Sequence, residues 1–328
     1  MNKNVFKAFC AVCMGVVMCV ACQEKIAQVD DEPQKKVKLS VSVPLPETRT
    51  TGSVDESIVK NYQVFVYNVF DNLESYLNAD AGEELSLECT EGPKKVVVLV
   101  NAPAITQGST LTSLKNTKAM LTENEDGGLL MEGLVSATIT ASKPSVSVPV
   151  SRMVSKIRLS HLETAFEMPQ YQSQTFTVSS VYLINVPADK NYLLPATADQ
   201  WYNKMKYDPA DVCTLIYDDM GDVEVSASSP YETVNTFYCF PNSYTQDSFA
   251  TTWSGRRTRL VVEARLAGIR YYYPVTLPPL EGNKVYDVSL TITRPGTSTP
   301  DAEVDKFAVG FDITIKGWET GASVTEEI

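Results

Sequence analysis

Val37, Leu39, Val41 and Val43 alternate with Lys38, Ser40 and Ser42, which is the period of a β-strand with one face in a core. Pro44 and Pro46 stop that strand, because neither can donate a ladder hydrogen bond. The polar run Glu47-Thr48-Arg49-Thr50-Thr51-Gly52 follows at once. An exposed polar run with a single arginine is a target for a trypsin-like protease. The first core strand is therefore either an ordinary edge strand with a loop behind it or a strand that can be detached.

The same patterning continues along the chain. Tyr62 to Tyr67 is strongly β-prone, and Lys94 to Val100 is apolar enough for a central strand, closed by Asn101-Ala102-Pro103. Shorter strands are expected at Glu74 to Leu77 and Glu84 to Cys89, with further strands at Val135 to Thr140 and Ser145 to Val150. Leu111, Leu114, Ala119 and Leu121 predict one short helix capped by Ser109 or Thr110. A second cycle opens at Ser151 to Leu159 and continues through Thr175 to Asn185, Tyr231 to Phe240, Arg259 to Leu266, Ile269 to Val275 and Val285 to Thr293. Trp201 to Tyr207 is looser and predicts a helical turn. Leu266-Ala267-Gly268-Ile269 reads as a hairpin turn and Pro295 to Asp301 as a linker. In the last strand, within 307–318, Phe307, Val309, Phe311, Ile313 and Ile315 alternate with small or polar residues. Short strands at regular spacing point to antiparallel sandwiches, here one over 37–151 and one over 152–328.

The N-terminus changes the picture. Lys3 and Lys7 precede an apolar run of 13 residues, Ala8 to Val20, too short to span a bilayer and suited to a signal peptide. It ends in Cys19-Val20-Ala21-Cys22, which resembles a bacterial lipoprotein signal: cleavage after residue 21 would leave Cys22 to carry the lipid. Residues 22–36 are charged and nearly free of large apolar side chains, a tether between lipid and fold. Of the seven cysteines only Cys89, Cys213 and Cys239 lie beyond this region. They have no CxxC spacing. One disulfide would leave a thiol over, whereas the strand-like runs around Cys89 and Cys239 suit buried free thiols.

The formal net charge of −12 argues against nucleic acid and anionic membrane surfaces as partners. About 300 residues beyond the signal exceed what one sandwich holds. Catalytic chemistry is sparse. The one histidine, His161, has no cysteine or paired carboxylates around it. GxSxG, HExxH and GxGxxG motifs are absent, so no hydrolase, zincin or dinucleotide site is expected, and no cofactor or metal. The acidic runs Glu123 to Gly128 and Asp218 to Asp222 lack calcium-loop spacing and read as turn tips. Trp253, Tyr271 and Tyr273 are the aromatics available to stack on a sugar.

Together, the lipoprotein-type start, Arg49 after a first strand, Arg152-Met153-Val154-Ser155-Lys156-Ile157-Arg158-Leu159, Asn283-Lys284-Val285-Tyr286-Asp287-Val288 and a terminal strand near Trp318 resemble the FimA-like fimbrillins, subunits of type V pili of Bacteroidales. The resemblance implies an all-β chain of two tandem antiparallel β-sandwiches, transthyretin-like with Greek-key connections, plus one or two short helices. It implies export as a lipoprotein carrying palmitate-type acylation on Cys22, anchored in the outer membrane. It implies cutting between Arg49 and Thr50 by an Arg-specific surface protease, then removal of Val37 to Val43. The groove so opened would take a strand from another fimbrial subunit, with Phe307 to Ile315 or the tail beyond Trp318 as donor, giving a fimbrium that supports cell adhesion. Four apolar side chains at about 1.5–3 kcal/mol each make the first strand worth roughly 6–12 kcal/mol gross, so an emptied groove demands a replacement. Two other readings stand beside this one: an uncut anchor subunit, and a surface lipoprotein that binds glycan or a host ligand. None of the three is an enzyme.

Overall fold

The computed structural model describes residues 35–46, 55–106, 108–125, 128–195, 198–247, 253–302, 309–318 and 323–324. Cys22, Arg49, Thr50 and Phe307 lie outside these residues. From Lys35 onward the chain forms one compact unit.

The first part is built from β1 (Lys36–Ser42), β2 (Asn61–Tyr67), β3 (Leu73–Asp80), β4 (Ser86–Thr90), β5 (Gly92–Val100), β6 (Lys118–Met120), β7 (Met131–Ile139), β8 (Ser145–Ser147) and β9 (Ser151–Arg152). A five-stranded sheet, β3-β2-β5-β7-β9, packs against a three-stranded sheet, β4-β1-β8. Their shared core takes alternate residues: Val64, Val66, Val96, Val98 and Val100 from one sheet, Val37, Leu39, Val41, Leu87 and Val146 from the other. The opposite face of β2 and β5 is also covered. Phe65, Tyr67, Val97 and Leu99 belong to the larger core, with α1 (Leu111–Lys115) lying over them. That double burial explains why both strands read as continuous apolar runs rather than alternations. Thr110 caps α1, its hydroxyl accepting from the Ser113 amide at 3.0 Å.

The second part holds β10 (Ser155–Thr164), α2 (Pro169–Gln172), β11 (Phe176–Ile184), β12 (Val186–Pro187), β13 (Asp189–Asn191), β14 (Trp201–Tyr202), β15 (Tyr217–Glu224), β16 (Asn235–Cys239), β17 (Arg259–Leu266), β18 (Ile269–Thr276), β19 (Lys284–Ile292), β20 (Val309–Gly317) and β21 (Ser323–Val324). The sheets β16-β10-β19-β20-β21 and β15-β11-β17-β18 enclose the larger core. The β17–β18 turn is the expected hairpin: Ala267 and Gly268 both have positive φ, 51° and 80°, the signature of a two-residue turn matched to strand twist.

The all-β sandwich architecture holds, with three refinements. Two pairings are parallel, β1 with β8 and β10 with β19, each bridging the long crossover a parallel pair requires. The acidic run Asp218 to Asp222 is no turn tip but part of edge strand β15. Gly221 and Asp222 take positive φ there, and the pairing of β15 with β11 shifts register. Trp201 to Tyr207 contains the short strand β14 followed by a bent stretch rather than a helical turn.

Candidate functional site

Strand β1 runs down the middle of its sheet. It is antiparallel to β4, from Lys36 opposite Thr90 to Ser40 opposite Ser86, and parallel to β8, from Ser40 beside Ser145 to Ser42 beside Ser147. Val37, Leu39 and Val41 are 9%, 0% and 6% exposed, while the lysines and serines between them face solvent. Val43 packs partly against the same core, just past the strand's end. Further backbone bonds extend the hold: Val41 N–H to Leu85 O at 2.9 Å, and Val148 N–H to Ser42 O at 2.9 Å. Lys36–Glu88 and Lys38–Glu84, at 4.0 and 3.7 Å, are exposed pairs that add little. Three buried side chains at about 1.5–3 kcal/mol each give β1 roughly 5–9 kcal/mol of gross burial. β1 is thus a central strand that fills a slot between β4 and β8.

Cys89 lies on the wall of that slot, opposite Val37 and buried. Burial, reinforced by the nearby Glu74 charge, pushes its thiol above the ordinary value. Cys213 and Cys239 are likewise free and buried, Cys213 pushed up to about 12 mainly by burial. At the Lys36 end of the slot, Glu74 of β3 accepts from the Thr90 amide and pairs with the buried Lys94 at 2.7 Å. Burial opposes the charge of Glu74, yet the Lys94 and Thr90 hydrogen bonds hold its carboxyl below the usual value.

Where the chain re-enters the described structure after residue 54, Glu56 is buried inside the junction with the second sandwich. Its Oε1 accepts from Lys156 Nζ at 2.5 Å and from the Tyr238 hydroxyl at 2.7 Å, and its Oε2 from Trp318 Nε1 at 2.9 Å. The Arg152 guanidinium lies over the Trp318 ring at 4.7 Å, and Tyr238 stacks on it at 6.0 Å. Burial lowers the Lys156 pKa against the pull of Glu56 and, with the Glu56 charge, raises that of the Tyr238 hydroxyl. Sequence reading missed Glu56. A single glutamate in a polar loop carries no periodic signal, and its partners lie 100, 182 and 262 positions away. The chain just beyond residues 47–54 is therefore pinned by partners that lie outside β1.

The terminal strand is β20, antiparallel to β19 throughout, with Val309 and Ile313 buried and Ile315 packed on the larger core. Phe311 departs from the expected buried face and is 40% exposed; among the described residues β20 pairs there only with β19. Tyr273 is corrected as a ligand aromatic: it is fully buried and packs edge-on against Phe176 at 5.6 Å. Tyr271 is half-buried against the same core. Trp253 stays partly exposed, with Trp201 at 5.6 Å; Trp201 in turn contacts Tyr244 at 5.8 Å. His161 sits 3.6 Å from Glu163 on β10. Among the described residues, no three His, Cys, Asp or Glu side chains converge as metal ligands, and no helix is long and apolar enough to cross a membrane.

The family model described as Major fimbrial subunit protein (FimA) matches residues 36–161, from β1 through most of β10. Among solved structures, a protein of Bacteroides eggerthii DSM 20697, described as a candidate for cell adhesion, shares 20% identity and a TM-score of 0.66, over 86% of this chain and 96% of that one. A fimbrilin (fimA) from Porphyromonas gingivalis W83 shares 17% identity and a TM-score of 0.59, over 87% and 97%. The tip fimbrial protein Mfa3 from Porphyromonas gingivalis, with a C-terminal truncation, shares 11% identity and a TM-score of 0.54, over 87% and 100%. No curated protein sequence matches the chain. The family-model match and the shared fold bear out the resemblance to FimA-like fimbrillins read from the sequence.

Proposed function

We propose that this protein is a structural subunit of a surface fimbrium, assembled by donor-strand exchange. In this reading the precursor is exported as a lipoprotein on Cys22 and anchored to the outer membrane. An Arg-specific surface protease cuts between Arg49 and Thr50, and β1 leaves. A strand from another fimbrial subunit then fills the slot between β4 and β8. The observation that carries the proposal is the position of β1: a central strand, held through Val37, Leu39 and Val41, and followed within a few residues by a polar run with one arginine.

The physical logic is differential. While covalently joined, β1 fills the slot at the high effective concentration of an intramolecular segment. Cutting removes that advantage but leaves the chain after it pinned through Glu56. An emptied slot leaves the edges of β4 and β8 unpaired and exposes the core lined by Leu87, Cys89, Val98 and Val146, a surface that another strand satisfies by β-augmentation. Terminal strand β20, or the residues beyond Trp318, supplies that donor from the neighbouring copy.

Digesting the purified precursor with an Arg-specific protease should produce a fragment beginning at Thr50, followed by oligomers. A resistant Arg49–Thr50 bond, or complete cutting that yields only monomers, overturns the proposal. A second reading, ligand binding at the cell surface, draws on the partly exposed cluster of Trp201, Tyr244 and Trp253. A glycan array with the intact protein and the Trp253→Ala variant tests it; no binding by the intact protein removes it.

A further inference from the structure

We propose that the β2–β3 hairpin tip, carrying Val69 and Phe70, is the seat for the body of the copy that donates its strand. This inference rests on the strand-exchange reading above. Val69 is 57% and Phe70 79% exposed, two large apolar side chains side by side in water. The backbone beneath them is fixed. Asn68 Oδ1 accepts from the Phe70 and Asn72 amides at 2.9 and 3.2 Å, and Asn68 N–H donates to Asn72 O at 3.0 Å. Asp71, at φ 61°, pairs with Lys95 at 2.7 Å, and its carbonyl accepts from Leu111 N–H at 2.9 Å. A tip tied down on all sides does not turn its apolar side chains inward. Beside it lies a recess of about 370 Å³ lined by Asn68, Val69, Pro93, Lys95, Ala137 and Thr138. Exposed apolar residues scattered singly need no explanation, but an adjacent pair on a rigid projection beside a recess is the form of a contact site.

The occupant follows from the geometry of the slot. A second copy whose strand fills it must place its body beyond one of the slot's two ends. The Ser42 end abuts the same subunit's second sandwich: Ser42 and Pro44 bond to Val148 and Val150, and β9 and β10 follow directly. Among the described residues the Lys36 end is the one that points away from that sandwich, and there the tip stands. Lys36 lies opposite Thr90, Glu74 of β3 ties Thr90 and Lys94 to the base of the hairpin, and Pro93 lines the recess. The incoming body thus approaches at the Lys36 end and meets Val69 and Phe70. The same constraint sets the direction of the donor. A strand that follows its own body in sequence runs as β1 does, antiparallel to β4 and parallel to β8.

The test compares the intact precursor with the double variant Val69→Ser, Phe70→Ser, each digested with an Arg-specific protease and followed by sedimentation velocity. Both should be cut at the same rate and unfold thermally at the same temperature before cutting. The variant should then polymerise at least about tenfold more slowly, the loss expected when an interface anchor is truncated. Polymerisation of the variant at the intact rate overturns the proposal. A benzophenone cross-linker placed at position 70 gives an independent reading: irradiation should join two copies after cutting and none before. Polymers that form without that cross-link also overturn it. If the intact protein is cut and stays monomeric, the strand-exchange reading fails and takes this inference with it, a result distinct from the other two.

Discussion

The carboxylate of Glu56 accepts a hydrogen bond from the indole N–H of Trp318 at 2.9 Å, across 262 positions of sequence. This contact, with the Lys156 ammonium and the Tyr238 hydroxyl on the other oxygen, ties the segment after the Arg49 run to the end of β20. Removing the carboxylate by Glu56→Ala leaves the buried Lys156 without its counter-charge and should cost about 3–5 kcal/mol. Trp318→Phe removes the indole donor while keeping an aromatic ring under Arg152, and should cost less, about 1–2 kcal/mol. Urea unfolding measures both; equal losses, or none from Glu56→Ala, would contradict the junction described here.

Leu39 is fully buried in β1, so Leu39→Ala should destabilise the uncut precursor by about 2–5 kcal/mol. Once β1 has been removed, the same substitution should have no effect on the polymer. Denaturation of both forms separates a detachable strand from a permanent one, because a loss carried into the cut material would mean that β1 stays.

Cys89 offers a direct reporter of the slot. In the uncut protein it is buried opposite Val37, and Cys213 and Cys239 are buried elsewhere. Maleimide labelling mapped by mass spectrometry should find Cys89 protected before cutting, labelled in cut monomers, and protected again in polymers. Labelling that never depends on cutting would show that β1 has not left.

The slot's Lys36 end carries a pH dependence whose sign is fixed. The Glu74 carboxyl is held below its ordinary value of 4.5 in the folded protein, so the folded state binds fewer protons there than the unfolded chain does. The stability contributed is complete above the ordinary value and is lost as pH falls through the lower folded one. Glu74→Gln should therefore be less stable than the intact protein near neutral pH, with the gap closing as pH falls below 4.5. Urea midpoints across that range provide the measurement, and a gap that widens in acid would refute it.

Much of this was readable before any coordinates. Alternation placed β1, the end of β7, β8 and β20, because residues on a sheet with one buried face announce themselves at every second position. Continuous apolar runs placed β2 and β5, and Ala267-Gly268 placed a hairpin. The partner of β1 on its second side was not legible: Ser145-Val146-Ser147 is too short to declare a parallel pairing. Tyr271-Tyr272-Tyr273 looked accessible, yet Tyr273 is enclosed, since three tyrosines in a row must alternate faces. Phe311 keeps the period of its strand but not the burial, and among the described residues only β19 lies beside it. The Glu56 cluster was beyond reach in principle. Its members are single residues in four unrelated segments, and only the finished fold brings them together.

The alternation of β1 has one more consequence. Only its odd-numbered side chains enter the core, while its backbone supplies hydrogen bonds to β4 and β8 whatever its side chains are. The groove it fills therefore recognises a rhythm, an apolar residue at every second step, and not a spelling. Many strands carry that rhythm. A receptor so permissive accepts unlike sequences with similar grip, and the power to choose among them must reside in surfaces the strand itself never touches.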